Sequence, residues 1–170
     1  MTRETYRKIT EPLRDNIELT RWVKRINRVL TACVFCIYPV FLTILLGRGD
    51  HFFVRAVLVP AISFVLVSIF RRVVNLPRPY EKFDMLPVLE KDTKGKSFPS
   101  RHVFSVFVIA TTVFVRQPAA GVLLGAVGAV LGIIRVVGGV HEPKDITAGA
   151  MIGILSGWIG YYLIPGGLHM

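Results

Sequence analysis

The chain has 170 residues, of which 52% are hydrophobic and only 19% charged, and it carries a formal net charge of +10. Soluble domains run nearer ~45–50% apolar and ~25% charged. Here the apolar residues collect into uncharged runs at 29–47, 56–70, 102–115, 117–134 and 146–170, which excludes a soluble globule; with no water-facing domain left to carry the charge onto nucleic acid, anionic lipid is the expected partner.

Residues 1–28 hold eight basic and four acidic side chains, with Tyr6, Ile9, Leu13 and Ile17 at helical spacing and Pro12 suited to a helix start. This pattern predicts an amphipathic segment lying in the headgroup region, its Lys and Arg facing anionic lipid. No cleavable leader is expected, because the first apolar run begins only after residue 28 and lacks a small-residue cleavage site.

Five spans are predicted, at about 29–47, 52–70, 101–117, 119–135 and 146–164. The expected fold is therefore an all-α integral membrane protein: five transmembrane helices plus an N-terminal interfacial amphipathic helix. Residues 1–28 form the interfacial segment and 29–170 the transmembrane domain. In the first span, Cys33 and Cys36 read as packing residues, since a free thiol in hydrocarbon behaves as a small hydrophobe. Arg55 lies near the end of the second span, where it can snorkel. The connections at 48–51 and 116–118 are tight, whereas 71–100 is one long polar loop of the kind that carries function. The fourth span has Gly121, Gly125, Gly128 and Gly132, and the fifth has Gly149, Gly153 and Gly157 at strict fours. Small residues at that spacing let membrane helices approach closely.

Parity brings the chemistry together. With five spans, the end of the second, the start of the third, the end of the fourth and the start of the fifth share one membrane face. Those ends carry Arg71, Arg72, Asn75 and Arg78; Ser100, Arg101 and His102; Arg135; and His141, Glu142, Lys144 and Asp145. Such a cluster at helix ends is a functional site by default. Arg71, Arg78 and Arg135 are permanently charged forks that match phosphate oxygens. Pro99-Ser100 places Ser100 at an N-cap, so the free N–H groups of span three point into the same region. Pro143 fits the first turn of span five and puts Asp145 close enough to accept an N–H from His141. Taken singly, an interfacial histidine is a headgroup contact and an interfacial arginine an anchor. Jointly they form what nucleophilic phosphoryl transfer requires: one imidazole attacks phosphorus, a carboxylate holds its tautomer, the other imidazole protonates the leaving oxygen, and guanidinium groups stabilise the equatorial charge.

Arg71-x6-Arg78-Pro79, then Pro99-Ser100-Arg101-His102, then Arg135-x5-His141-x3-Asp145 resemble the three ordered signature motifs of the type 2 phosphatidic acid phosphatase (PAP2) superfamily of lipid phosphate phosphatases. The resemblance implies that His141 is the nucleophile forming a phosphohistidine, Asp145 its orienting partner and His102 the general acid. It further implies that Arg71, Arg78, Ser100 and Arg135 bind phosphate, with Arg101 beside them. Three positions depart from the pattern: Arg71 stands where Lys is common, Arg101 where Gly is common, and Ile134 where Ser is usual. Members often have six spans.

The expected activity is hydrolysis of a lipid phosphate, undecaprenyl diphosphate first, with phosphatidic acid, phosphatidylglycerophosphate and lipid A phosphates as close alternatives. No cofactor is expected. No metal is expected either, because neither HExxH nor a cluster of carboxylates or Cys/His ligands accompanies the site. A silent anion or lipid transporter would use the same basic pocket, but internal repeats and broken helices at the bilayer midplane are not seen. A lipid-to-lipid phosphotransferase would share every catalytic residue. With four arginines set aside for chemistry, fourteen Lys and Arg lie on the active face against three on the other. The positive-inside rule places that face in the cytoplasm, whereas the resemblance favours an outward site.

Overall fold

The computed structural model describes residues 1–164 apart from 90 and 92, so the C-terminal end of the run expected to reach 170 lies outside the described residues. Among the described residues seven α-helices follow one another: α1 (Arg3–Asp15), α2 (Ile17–Gly47), α3 (Phe52–Val74), α4 (Pro79–Phe83), α5 (Arg101–Phe114), α6 (Pro118–Val137) and α7 (Pro143–Trp158). A π-helical turn, Ile159–Leu163, extends α7. No strand occurs among the described residues.

Four helical segments, beginning at Ile17, Phe52, Pro118 and Pro143, are long and apolar enough to cross a membrane. This makes the chain a multi-pass membrane protein. The expected count of five is met only in part. With 14 residues, α5 is about 21 Å long at 1.5 Å per residue, short of the ~30 Å hydrocarbon core. It is nevertheless the centre of the bundle. Val103, Phe104, Val106, Val108, Ile109, Ala110 and Val113 are all buried, against α2 and α6 on one side and α3 and α7 on the other. Its last turn reaches the far end, where Arg116 Nη2 meets Asp50 Oδ1 at 2.9 Å. Protein, not lipid, surrounds α5, so its length need not match the bilayer.

The glycine stripes explain how closely these helices pack. A Cβ on Gly149 would lie 2.7 Å from the Ser100 carbonyl, and one on Gly153 2.7 Å from the Phe104 carbonyl. Those contacts are with the backbone at the start of α5, so the first turns of α7 lie directly on it, while a Cβ on Gly157 would meet the Thr111 side chain. A Cβ on Gly121 of α6 would likewise meet the Phe114 backbone of α5 and one on Gly128 the Val106 and Phe107 side chains, whereas a Cβ on Gly125 meets nothing.

Two expectations near the N-terminus are corrected. The first long helix starts at Ile17 and not at 29, because Asn16 leaves helical geometry and its side chain caps the new helix by accepting from Leu19 N at 3.0 Å. The break therefore falls at Asn16, and 17–28 continues directly into the span. Pro12 does not start a helix but sits inside α1. Of the expected apolar face, Tyr6 and Leu13 are buried in α1, with Thr10 between them, whereas Ile17 opens α2 and is exposed. Tyr6 Oη donates to the Gly139 carbonyl at 3.1 Å, so α1 covers the α6–α7 turn that presents His141.

Candidate active site

The long loop is folded back on itself by local hydrogen bonds. Asn75 closes α3 in a left-handed conformation, and its Oδ1 accepts from Lys96 N at 3.2 Å. Glu81 takes Arg78 N on Oε2 at 2.7 Å and Gly95 N at 2.9 Å. These two side chains fix the 95–97 turn, and the turn supplies the carbonyls that hold the arginines. Arg71 Nη1 donates to Ser97 O at 3.2 Å and Nη2 to Lys96 O. Arg78 Nε donates to Gly95 O and its Nη1 to Val140 O, both at 3.2 Å. Each guanidinium has five N–H groups in a fixed fork, so donors remain on both.

The helix ends meet across this loop. Ser100 N donates to Asp145 O at 2.8 Å, tying the start of α5 to the first turn of α7. The turn after α6 is closed by Val140 N and His141 N, which donate to Arg135 O at 3.1 and 3.3 Å. Asp145 Oδ2 is the hub of what results. It accepts from Ser97 Oγ at 2.6 Å and from Glu142 N at 3.1 Å, and it lies 3.2 Å from His141 Nδ1. On the other side of the ring, Arg78 Nη1 is 3.5 Å from Nε2. A carboxylate can only accept and a guanidinium only donate, so together they specify one tautomer: Nδ1 carries the hydrogen and Nε2 the lone pair. His141 is 2% exposed. Burial pushes its imidazole down to about 4, Arg78 and Arg135 act in the same direction, and Asp145 opposes them. At neutral pH the ring is uncharged, with its lone pair toward Arg78.

Two cavities flank this pair. One, of about 330 Å³, is lined by Arg71, Arg78 and Arg101 together with Lys91, Lys94 and Ser68. The other, of about 450 Å³, is lined by His102 and Arg135 with Lys24, Asn27, Arg28 and Thr31 of α2. The expected residues are thus gathered at one end of the bundle, with the arginines and His102 divided between two cavities and Ser100, His141 and Asp145 buried beside them. His102 feels the charges of Arg135, Lys91, His141 and Arg101. Ser100 occupies the N-cap of α5, but its hydroxyl makes no capping bond and is buried without a partner among the described residues. The Arg101 guanidinium lies 5.5 Å over the Phe64 ring at the cavity edge. From His102 a small opening bounded by Phe35, Phe64 and Ser105 leads to an apolar groove of about 330 Å³ between α2 and α3 over α5.

Two residues escaped the sequence reading. Ser97 is only a serine two places before Pro99, and its role depends on a loop closure that no spacing encodes. Lys91 is one of many loop cations; burial first, then Arg78, Arg135, Arg101 and Arg71, push its ammonium down from the ordinary value. Glu142, at the N-cap of α7, feels burial as an upward push. Lys144 at 3.1 Å and Lys82 at 3.4 Å outweigh it and hold the carboxyl below its ordinary range.

Known proteins resemble this chain in sequence and in fold. Bacitracin transport permease protein BcrC of Bacillus licheniformis is 32% identical over 113 residues, covering 64% of this chain and 56% of that protein. Undecaprenyl-diphosphatase of Sulfolobus acidocaldarius is 33% identical over 101 residues, covering 59% and 48%. The chain thus spans about half the length of these relatives. The crystal structure of Aquifex aeolicus LpxE superimposes with a TM-score of 0.72 at 24% identity over 92% of both chains, a likeness of fold. The sequence model of the PAP2 superfamily matches residues 52–167, which include every helix end that builds the site. With the three motifs, their convergence and this match in hand, the chain belongs to the PAP2 superfamily.

Proposed function

We propose that the protein is a membrane phosphatase of lipid phosphates that works through a phosphohistidine at His141, with a polyprenyl diphosphate such as undecaprenyl diphosphate as its first substrate. The observation that carries this reading is the buried chain Ser97–Asp145–His141–Arg78, which leaves one nitrogen lone pair beside a cavity lined with cations. The Nε2 lone pair attacks phosphorus and the bond to the leaving oxygen breaks. His102 gives that oxygen its proton, while Asp145 accepts the Nδ1–H and offsets the charge on the imidazolium. Arg71, Arg78 and Arg135, with Ser100 and Arg101 at the margin, stabilise the equatorial oxygens. Water then attacks the phosphohistidine, His102 takes its proton, and orthophosphate leaves. The guanidinium groups do the work a metal does elsewhere, so activity should survive EDTA and be inhibited by vanadate. The groove between α2 and α3 has the apolar lining a prenyl or acyl tail needs.

The relative named as an undecaprenyl-diphosphatase supports the substrate class. The relative named as a transport permease points toward a transporter. That function needs a path through the bundle, whereas Val106, Ile109, Ala110 and Val113 form a buried apolar layer with Val34, Leu124 and Leu131 below the site. Trapping with a phosphorus-32 substrate tests the assignment: an acid-labile, hydroxylamine-insensitive label is expected on the wild type. Full labelling of His141→Ala would refute it.

The excess of positive charge supports an active face in the cytoplasm, with α1 as the interfacial segment and the helices from Ile17 onward as the catalytic domain. Single cysteines at positions 94 and 48, in a background lacking Cys33 and Cys36, report the orientation on intact cells with an impermeant maleimide. Labelling at 48 alone is expected, and labelling at 94 alone would reverse the orientation.

A further inference from the structure

The cavity on the His102 side contains more polar equipment than transfer of one phosphoryl group requires. On α2, Lys24, Asn27, Arg28 and Thr31 line it, a 3–4 spacing that puts all four on one helix face. Among the described residues, Asn27 Oδ1, Thr31 Oγ1 and Arg135 Nε are buried there without hydrogen-bond partners. A buried polar group without a partner costs about 1–3 kcal/mol, and three around one cavity indicate a polar occupant. Its sign follows from the lining. Arg135 Nε–H can only donate and the Thr31 hydroxyl can donate, Arg28 brings a further guanidinium, and Asn27 Oδ1, which only accepts, suits the P–OH of a partly protonated phosphate. Among the described residues no acidic side chain lines the cavity. An anion fits.

Position identifies which anion. The nucleophile's Nε2 faces Arg78, which lines the first cavity, while the proton donor His102 lines the second. Attacking and leaving atoms lie on opposite sides of phosphorus in an in-line displacement. The second cavity is therefore where the leaving group sits. When a lipid monophosphate is cleaved, the leaving group is an alcohol and calls for no cations. When a lipid diphosphate is cleaved, it is a lipid monophosphate that carries charge. We infer that the α2 face of Asn27, Arg28 and Thr31, together with Arg135, is a subsite for the leaving phosphate of a lipid diphosphate, and that it selects diphosphates over monophosphates. The inference rests on the phosphatase reading above. It involves a helix outside the matched segment 52–167, so it concerns this chain's own selectivity and not the shared motifs.

The step balances: the bond between the terminal phosphorus and the bridging oxygen breaks, that oxygen takes the His102 proton, and the lipid monophosphate departs held by Arg28 and Arg135. The test uses the purified full chain in detergent with a prenyl diphosphate and the prenyl monophosphate of the same tail. For Arg28→Gln and for Thr31→Val, the ratio of kcat/KM for diphosphate over monophosphate should fall ~10–100-fold for the charged contact and less for the hydroxyl. An unchanged ratio would overturn the subsite, as would a wild type that cleaves the monophosphate but not the diphosphate, which would leave the phosphatase reading standing. Binding of the non-hydrolysable prenyl methylenediphosphonate, read by the shift in melting temperature, decides the subsite separately. If neither substrate turns over, the phosphatase reading fails. Stabilisation by the diphosphonate that Arg28→Gln weakens would still support the subsite, and equal stabilisation of both proteins would overturn it.

Discussion

Helices α5 and α2 are both rich in apolar residues, yet the bundle treats them oppositely. Nine of the fourteen residues of α5 are buried, whereas in α2 only Val34 and Leu45 of thirty-one are. Phe35, Val40, Ile44 and Leu46 of α2 lie open, as suits a wall that faces lipid. In a bilayer apolar composition does not say which way a side chain points, because hydrocarbon tails are as apolar as leucine. What separates the two helices is the neighbours. Glycines of α6 and α7 approach the α5 backbone, while α2 packs through one narrow stripe.

The largest expected effect lies where the buried helix meets the chemistry. Replacing His102, in the first turn of α5, with Ala should lower kcat by ~10²–10⁴-fold with the fold retained, measured by phosphate release and by melting in detergent. Wild-type rates in the variant would remove the proton donor from α5. The packing contrast is tested next. Gly153→Leu forces a side chain into the Phe104 carbonyl and should cost ~1–3 kcal/mol or more, seen as a lower melting temperature, while Gly125→Leu, with open space around it, should cost little. Equal losses would mean that α5 is not held by close backbone approach.

Smaller effects sharpen the picture of the site. Ser97→Ala removes the 2.6 Å bond to Asp145 and leaves the carboxylate less well oriented. A loss of ~10-fold in kcat is expected, the worth of one bond to a charged group, with KM little changed and Thr restoring most of the rate. The buried His141 sets the pH response. Its folded-state value of about 4 lies below the ordinary ~6.5. The unfolded chain therefore takes up its proton first on acidification, and stability is full above ~6.5 and falls as the pH drops through 4. Denaturation across pH 3.5–7 should show a shallower decline for His141→Ala than for wild type. The smallest effect belongs to the lipid-facing wall: Val40→Ala on α2 should change stability by no more than ~0.5 kcal/mol, and a loss like that of Gly153→Leu would mean that α2 faces protein.

Much of this was legible in the sequence. The apolar runs gave the spans because backbone groups in hydrocarbon must bond within a helix. The alternation of those runs put Arg71, Arg78, Arg135, His102, His141 and Asp145 at one end, and the i, i+4 spacing of His141 and Asp145 at a helix start made their contact a local matter. The glycine spacing announced close packing. The rest depended on partners far apart in the chain. Which tautomer His141 adopts is settled by Arg78, 63 residues away, and Asp145 is oriented by Ser97 across 48 residues, because each contact requires the 76–100 loop to close over helix ends whose meeting no local pattern specifies. Likewise α1 reads as a headgroup helix but covers the His141 turn through Tyr6, and α2 reads as an ordinary span but lines the His102 cavity. Hydrophobic periodicity records that a residue avoids water, and only the packed bundle decides whether lipid, protein or substrate takes its place.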